Sequence, residues 1–277
     1  MRLKSVISLV GATILVFAPS AFAGLTFVLT PGTQLGARSN AVVFTGTLAN
    51  TSATDNLYLN DIQFSFTGVA TNYFSGSGST FFANVPGILL PGESYSDVVF
   101  VVAIDPTTPL GDYPGSATII GGSNIFDVSI LATQVFQVSV FDTLFDVWRF
   151  DHFGANTNNP AISGPLADPD GDGIVNLLEY AFNLDPNVGD VAGLPAPQID
   201  PDCVCLTLIY RKVLGATDLL YTPEAAGEAT GPWVTNSIAQ TIIDADLVSQ
   251  IIKVRDIGNP IATATSRFMH IGITSSP

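Results

Sequence analysis

"AVVFTGTLAN", residues 41–50, puts Val42, Phe44, Gly46 and Leu48 on one side of an extended chain and Val43, Thr45 and Thr47 on the other. A period of two is that of a strand with one face buried. "SDVVFVVAI" (96–104) repeats the pattern with Val98, Phe100, Val102 and Ile104. "DYPGSATII" (112–120) aligns Tyr113, Ala117 and Ile119, and "TQVFQVSV" (133–140) aligns Phe136, Val138 and Val140. Turn signals separate these runs: Pro31-Gly32, Asn50 to Ser52, Ser75 to Gly78 and Pro91-Gly92. About seven short alternating strands between residues 24 and 140, with no helical periodicity among them, predict an antiparallel sandwich.

Outward from the sandwich the pattern changes at both ends. Upstream, Arg2 and Lys4 precede an apolar run, Val6 to Ala18, and then Ala21-Phe22-Ala23. This has the form of a secretory leader cleaved after Ala23, with Gly24 as the mature N-terminus. The run is short for a membrane span, and neither a lipidation cysteine nor a C-terminal apolar tail is expected. Downstream, "FDTLFDVWRFDHFG" (141–154) spaces Phe141, Leu144, Phe145 and Trp148 as on a helix, with Asp142 as a candidate N-cap and Gly154 as a stop. Residues 187–198, "NVGDVAGLPAPQ", read as a linker, and 199–277 return to strands. The predicted class is mostly β: the sandwich (24–140), a short helical connector (141–186) and a smaller C-terminal β domain.

Composition narrows the partners. The leader holds two of the nine basic residues and no acidic one, leaving seven basic against 24 acidic residues and a formal charge of −17. That excludes the basic surface nucleic acid requires and disfavours anionic lipid. Cys203 and Cys205 are the only cysteines. On one strand face they read as small buried apolar residues; the alternative disulfide would strain an extended i, i+2 pair.

The connector contains the densest chemistry. In "DPDGDGIVNLLE" (168–179), Asp168, Asp170, Asp172, Gly173, Asn176 and Glu179 satisfy D-x-[DN]-x-[DN]-G-x₅-E over all twelve positions. A hard cation such as Ca²⁺ takes six to eight oxygens. Asp168, Asp170 and Asp172 would supply carboxylates, Ile174 its carbonyl, Asn176 an oxygen directly or through water, and Glu179 a bidentate carboxylate. Gly173 permits the sharp turn. Ile174, Leu177, Leu178, Ala181 and Phe182 then form one apolar stripe, which places Glu179 on the side away from the core. The expected role is structural: Ca²⁺ fixes the connector and so the placement of the two β domains. Pro169 and the lack of a second, pairing loop argue against a regulatory sensor.

These residues carry a resemblance. "SGPLADPDGDGIVNLLEYAFNLDP" (163–186) looks like half an EF-hand, as in dockerin or thrombospondin type 3 loops. With Trp148 ahead of it, the run is similar to a module of secreted proteins of environmental bacteria that is followed by a β-rich C-terminal domain, although this chain has His152-Phe153 where that module's Phe is expected. "VVFTGTLANTS" and "LGDYPGSATIIGG" resemble strands of bacterial immunoglobulin-like sandwiches in exported proteins. The resemblance implies calcium at the matching ligands, export to the cell surface, the periplasm or the medium, and no defined activity.

A search for catalytic groups finds little. His152 and His270 are the only histidines, and both read as structural. No G-x-S-x-G, H-E-x-x-H, P-loop or dinucleotide fingerprint occurs. The other acids, such as Asp61, Glu93, Asp97, Glu224 and Glu228, show no local pairing of the kind glycoside hydrolysis uses. The expectation is a non-enzymatic structural or adhesion-type module, with cell-envelope, matrix or glycan components as partners. Calcium-dependent carbohydrate binding is the alternative, with Tyr73, Phe74, Phe81, Phe82 and Trp233 as candidate platforms, and packing is the ordinary explanation for each. A polysaccharide hydrolase comes last.

Overall fold

A computed structural model describes residues 24–67, 72–259, 261 and 266–275. The expected leader, 1–23, lies outside the described residues. The chain divides into two compact units. The first runs up to Gln34 and includes Ala41–Asp105 and Asp112–Val138; the second holds Leu35–Asn40, Pro106–Gly111 and Ser139 onward.

The sandwich is present. One sheet has the order β1-β3-β7-β5, with β1 Leu25–Leu29, β3 Ala41–Asn50, β7 Ser94–Ile104 and β5 Phe74–Gly76. The other has the order β2-β9-β8-β4-β6, with β2 Thr33–Ala37, β9 Ser129–Phe141, β8 Gly111–Gly122, β4 Leu57–Phe66 and β6 Ile88–Leu89. The inward residues of "AVVFTGTLAN" are buried as the alternation requires, with Phe44 and Leu48 at 0% exposure. Phe44 stacks on Phe100 within its own sheet and meets Phe136 of the opposite sheet, each at 4.8 Å between ring centroids. Phe66 adds an edge-on contact to Phe136 at 5.5 Å. Each buried Phe contributes roughly 1.5–3 kcal/mol relative to exposure, which makes these rings the seam of the sandwich.

Two local readings need correction. In β7 the pairing passes from Phe44–Phe100 to Thr45–Val98, so Val99 is an extra residue. This bulge reverses the alternation behind it: Val99 is fully buried, and Val98, assigned to the inner face by strict alternation, is only partly so. A helix, α1 Gly78–Asn84, also occurs where the Ser/Gly run predicts only a turn. Ser77 caps it by accepting from the Thr80 N–H at 3.3 Å. Helical geometry then places Phe81 inside at 1% exposure and Phe82 outside at 54%.

The second unit combines α2 Leu144–Phe153, α3 Pro160–Ser163 and α4 Asn176–Phe182 with six strands. β10 Ala196–Asp200, β11 Cys205–Val213, β14 Ser249–Asp256 and β13 Ile238–Ala245 form one sheet in that order, and β12 Leu219–Ala226 pairs with β15 Phe268–Ser275. The helices share a core with the strands. Tyr180, Ala181 and Phe182 of α4 cluster with Tyr210, Leu219, Tyr221, Ile252 and Val254, and Phe145 and Trp148 of α2 pack against them. Residues 141–186 therefore belong to the second unit, and parts of α2 and α4 contribute to its core.

Three further corrections follow. The cap of α2 is Thr143, in a reciprocal capping box with Asp146; Asp142 instead pairs with Arg38 at 2.7 Å. β10 begins at Ala196, inside the stretch read as linker. Cys203 and Cys205 form a disulfide. The objection to that bond assumed an extended strand, but residues 201–204 are the turn between β10 and β11, and Val204 has φ 48. Among the described residues, no helix is long and apolar enough to cross a membrane.

Candidate metal centre

The acidic loop is organised by its own backbone. Asp168 accepts the Gly171 N–H through Oδ1 (2.9 Å) and the Gly173 N–H through Oδ2 (3.0 Å). Asp170 Oδ1 accepts from the Asp172 N–H at 3.2 Å, and Asp172 Oδ1 from the Ile174 N–H at 2.8 Å. Gly171 and Gly173 have φ 77 and 93, so a Cβ at either would be strained. The outcome is one carboxylate oxygen each from Asp168, Asp170 and Asp172, all within 4.8 Å of one another.

Glu179 is not in that group of three, although its carboxyl feels the charge of all three aspartates, and it and Asn176 are more deeply buried. Glu179, on the first turn of α4, is 1% exposed, and Asn176 is 0% exposed. This corrects the expectation that Glu179 points away from the core: α4 is covered on both sides, and its "polar" face is interior. Asn176 is the clamp of the loop. Its Nδ2 donates to the carbonyls of Ile162 (2.9 Å) and Gly164 (2.8 Å), and its backbone N–H donates to Ala167 O (2.9 Å). With the amide nitrogen so committed, only Oδ1 is available to a ligand. Ile174 is buried, and its N–H is taken by Asp172.

Three oxygens stand out. Asp170 Oδ2, Asn176 Oδ1 and Glu179 Oε2 are buried without a hydrogen-bond partner. A buried polar atom without a partner costs about 1–3 kcal/mol, more when charged, so three around one acidic loop need an explanation. Burial first, and then the charges of Asp170, Asp172, Asp168 and Asp185, push the Glu179 carboxyl up to about 7 from its ordinary 4.5. An oxygen-only, carboxylate-rich donor set of this kind suits a hard divalent cation such as calcium.

Two residues of the neighbourhood were not legible in the motif. The Asp190 N–H donates to Asp172 Oδ2 at 3.0 Å, which ties the segment after Pro186 to the loop. Asp185 adds its charge to that felt by Glu179 and lies 3.8 Å from His152 Nδ1. No pattern in the sequence marks Asp190; Asp185 could have been suspected from the "LDP" that closes the quoted run.

The other candidates have ordinary surroundings. His152 packs on Trp148 at 4.6 Å, and His270 stacks on Trp233 at 3.9 Å with Nε2 3.0 Å from Glu224. Trp233 is half-buried with one face covered by that imidazole, and Phe74 and Phe81 are buried. Tyr73 is half-buried, which leaves Phe82 as the exposed ring of the candidate set. Asp61, Glu93 and Asp97 accept local backbone N–H groups, from Ile62, Leu90 and Val98.

No protein-family model matches the chain, and no curated protein matches it. Solved structures similar to part of it include a C. elegans MSP family member, WR4 (6% identity, 42% of this chain and 97% of that one, TM-score 0.26). Others are the seventh ScaB type I cohesin from Pseudobacteroides cellulosolvens (11%, 43% and 94%, 0.23) and a PapD-like domain of human CEP192 (12%, 51% and 96%, 0.27). At these TM-scores the likenesses carry no argument about activity or partners.

Proposed function

We propose that the protein is an exported, non-enzymatic structural or adhesion-type β module whose second unit is braced by a bound calcium ion. The observation that carries this reading is the set of buried, partnerless oxygens on Asp170, Asn176 and Glu179 around the Asp168–Asp172 cluster. Asp168, Asp170, Asp172 and Glu179 would hold the ion through carboxylates, joined by Asn176 Oδ1 and the Ile174 carbonyl. The ion supplies positive charge where the loop has none of its own. Because α4 belongs to the core, occupancy would stabilise the second unit. Export rests on the leader pattern of residues 1–23, and the partners expected of such a module are envelope, matrix or glycan components.

Calorimetric titration of the mature chain tests the brace. One calcium per chain should bind, at a Kd on the order of 10⁻⁴–10⁻³ M if the loop behaves as extracellular sites do, and Asp170→Ala should abolish it. No heat and no shift in melting temperature would end the proposal.

A further inference from the structure

The turn between β8 and β9 carries an apolar tip that the sandwich leaves uncovered. Ile125, Phe126, Val128 and Ile130 are 63%, 83%, 83% and 58% exposed. The tip is held in shape by polar groups. Asp127 Oδ2 accepts from the N–H and hydroxyl of Ser123 and from the Asn124 N–H, and its Oδ1 accepts from Asn124 Nδ2. Asn60 Nδ2 donates to the carbonyls of Asn124 (2.9 Å) and Asp127 (2.8 Å). Those bonds would be made equally well with serine or threonine at 125, 126 and 128, so the turn does not need its large apolar side chains for its own folding. A preorganised loop that presents apolar groups to solvent is the construction of a binding surface.

The surroundings indicate what would bind there. A cleft of about 580 Å³ lies beside the tip, with Asp55, Asp127, Leu57 and Leu131 in its wall and, among the described residues, no lysine or arginine. From residue 24 to 138 the sequence has seven acidic residues and one basic residue, Arg38, which is engaged by Asp142. A second copy would oppose acid to acid, and anionic lipid would be repelled. Four side chains also fall short of the roughly 1,000 Å² a specific interface buries, so the occupant must cover the cleft as well.

We infer that the β8–β9 turn docks a basic protein partner: Phe126 and Val128 pack against an aliphatic face, and a lysine or arginine beside that face reaches Asp55 in the cleft. The inference rests on the adhesion-type reading and is independent of the calcium brace.

A labelled amphipathic Lys/Leu helical peptide is the probe, with a Glu/Leu peptide of the same length as control. Fluorescence anisotropy on the full chain should show saturable binding of the first only. The double change Phe126→Ser and Val128→Ser should weaken it about tenfold or more, and Asp55→Asn by about threefold. Melting temperatures should stay unchanged, because the altered side chains are exposed. Equal affinity for wild type and double variant would overturn the inference by reducing it to diffuse charge attraction. So would binding of the Glu/Leu peptide, tip-dependent partition into phosphatidylcholine vesicles, or a tip-dependent dimer in sedimentation. Measuring calcium stabilisation in the same samples separates failure of the tip from failure of the brace.

Discussion

The second unit handles buried carboxylates in two opposite ways. Asp200 and Asp256 are 1% and 0% exposed, and the chain supplies a cation to each. Asp200 meets Lys253, with Arg255 at 3.9 Å, and Asp256 meets Arg267. The hydrogen bond from Lys253 is the main cause that holds Asp200 below the usual carboxylate range. Burial works to raise Asp256, but the hydrogen bonds from Arg267 and Asn259, with the Arg267 charge, outweigh it and leave it lowered. Glu179 is equally buried, yet its charged neighbours are Asp170, Asp172, Asp168 and Asp185, and its carboxyl is raised. One unit thus places cations against two buried acids and four aspartates around a third. The difference teaches that the acidic loop is not simply a solvated turn.

The largest expected effect tests the internally paired side. Arg267→Ala leaves Asp256 buried and unpaired, and should cost about 3–5 kcal/mol in denaturant unfolding. Calcium should not restore it, because that charge is not the loop's.

Glu179→Gln tests the other side with the opposite sign. It keeps the shape and removes a charge that has no cation, so chelated protein at pH 8 should gain about 1–3 kcal/mol. The same variant should lose the stabilisation that calcium gives the wild type. A loss of stability in chelator would mean that Glu179 already has a protein partner.

The pH dependence of the chelated wild type follows from the same shift. With a folded pKa of about 7 against an ordinary 4.5, the native state binds the extra proton between those values. Stability from this group is therefore fully present below about pH 4.5 and is lost as pH rises through about 7. Thermal unfolding at a series of pH values should show this decline with chelator and a weaker decline with calcium. The smallest effect belongs to the exposed pair: Asp142→Ala, opposite Arg38, should change stability by less than about 1 kcal/mol with or without calcium.

What the sequence made legible divides along physical lines. Alternation in 41–50, 112–120 and 133–140 read the sandwich because each strand has one buried face, and the spacing of Asp168, Asp170 and Asp172 marked a turn that does bring three carboxylates together. Val99 was missed because a bulge is set by the partner strand, and α1 because Ser77 turns a Ser/Gly run into a helix cap. The helical stripe misplaced Glu179 because it assumes one wet face. α4 has none: Tyr180 reaches Asp218 at 2.6 Å on one side, and the Asn176 amide is bound to the 162–164 segment on another. The Asp190–Asp172 bond spans eighteen residues and has no local signature.

The most direct test of the central claim is the melting temperature of the full chain in chelator and in calcium at pH 8, read beside Glu179→Gln. The account predicts that calcium at about ten to one hundred times Kd adds roughly 1.4–2.7 kcal/mol to the wild type and nothing to the variant. A wild type indifferent to calcium, or a variant stabilised as much as the wild type, would contradict it.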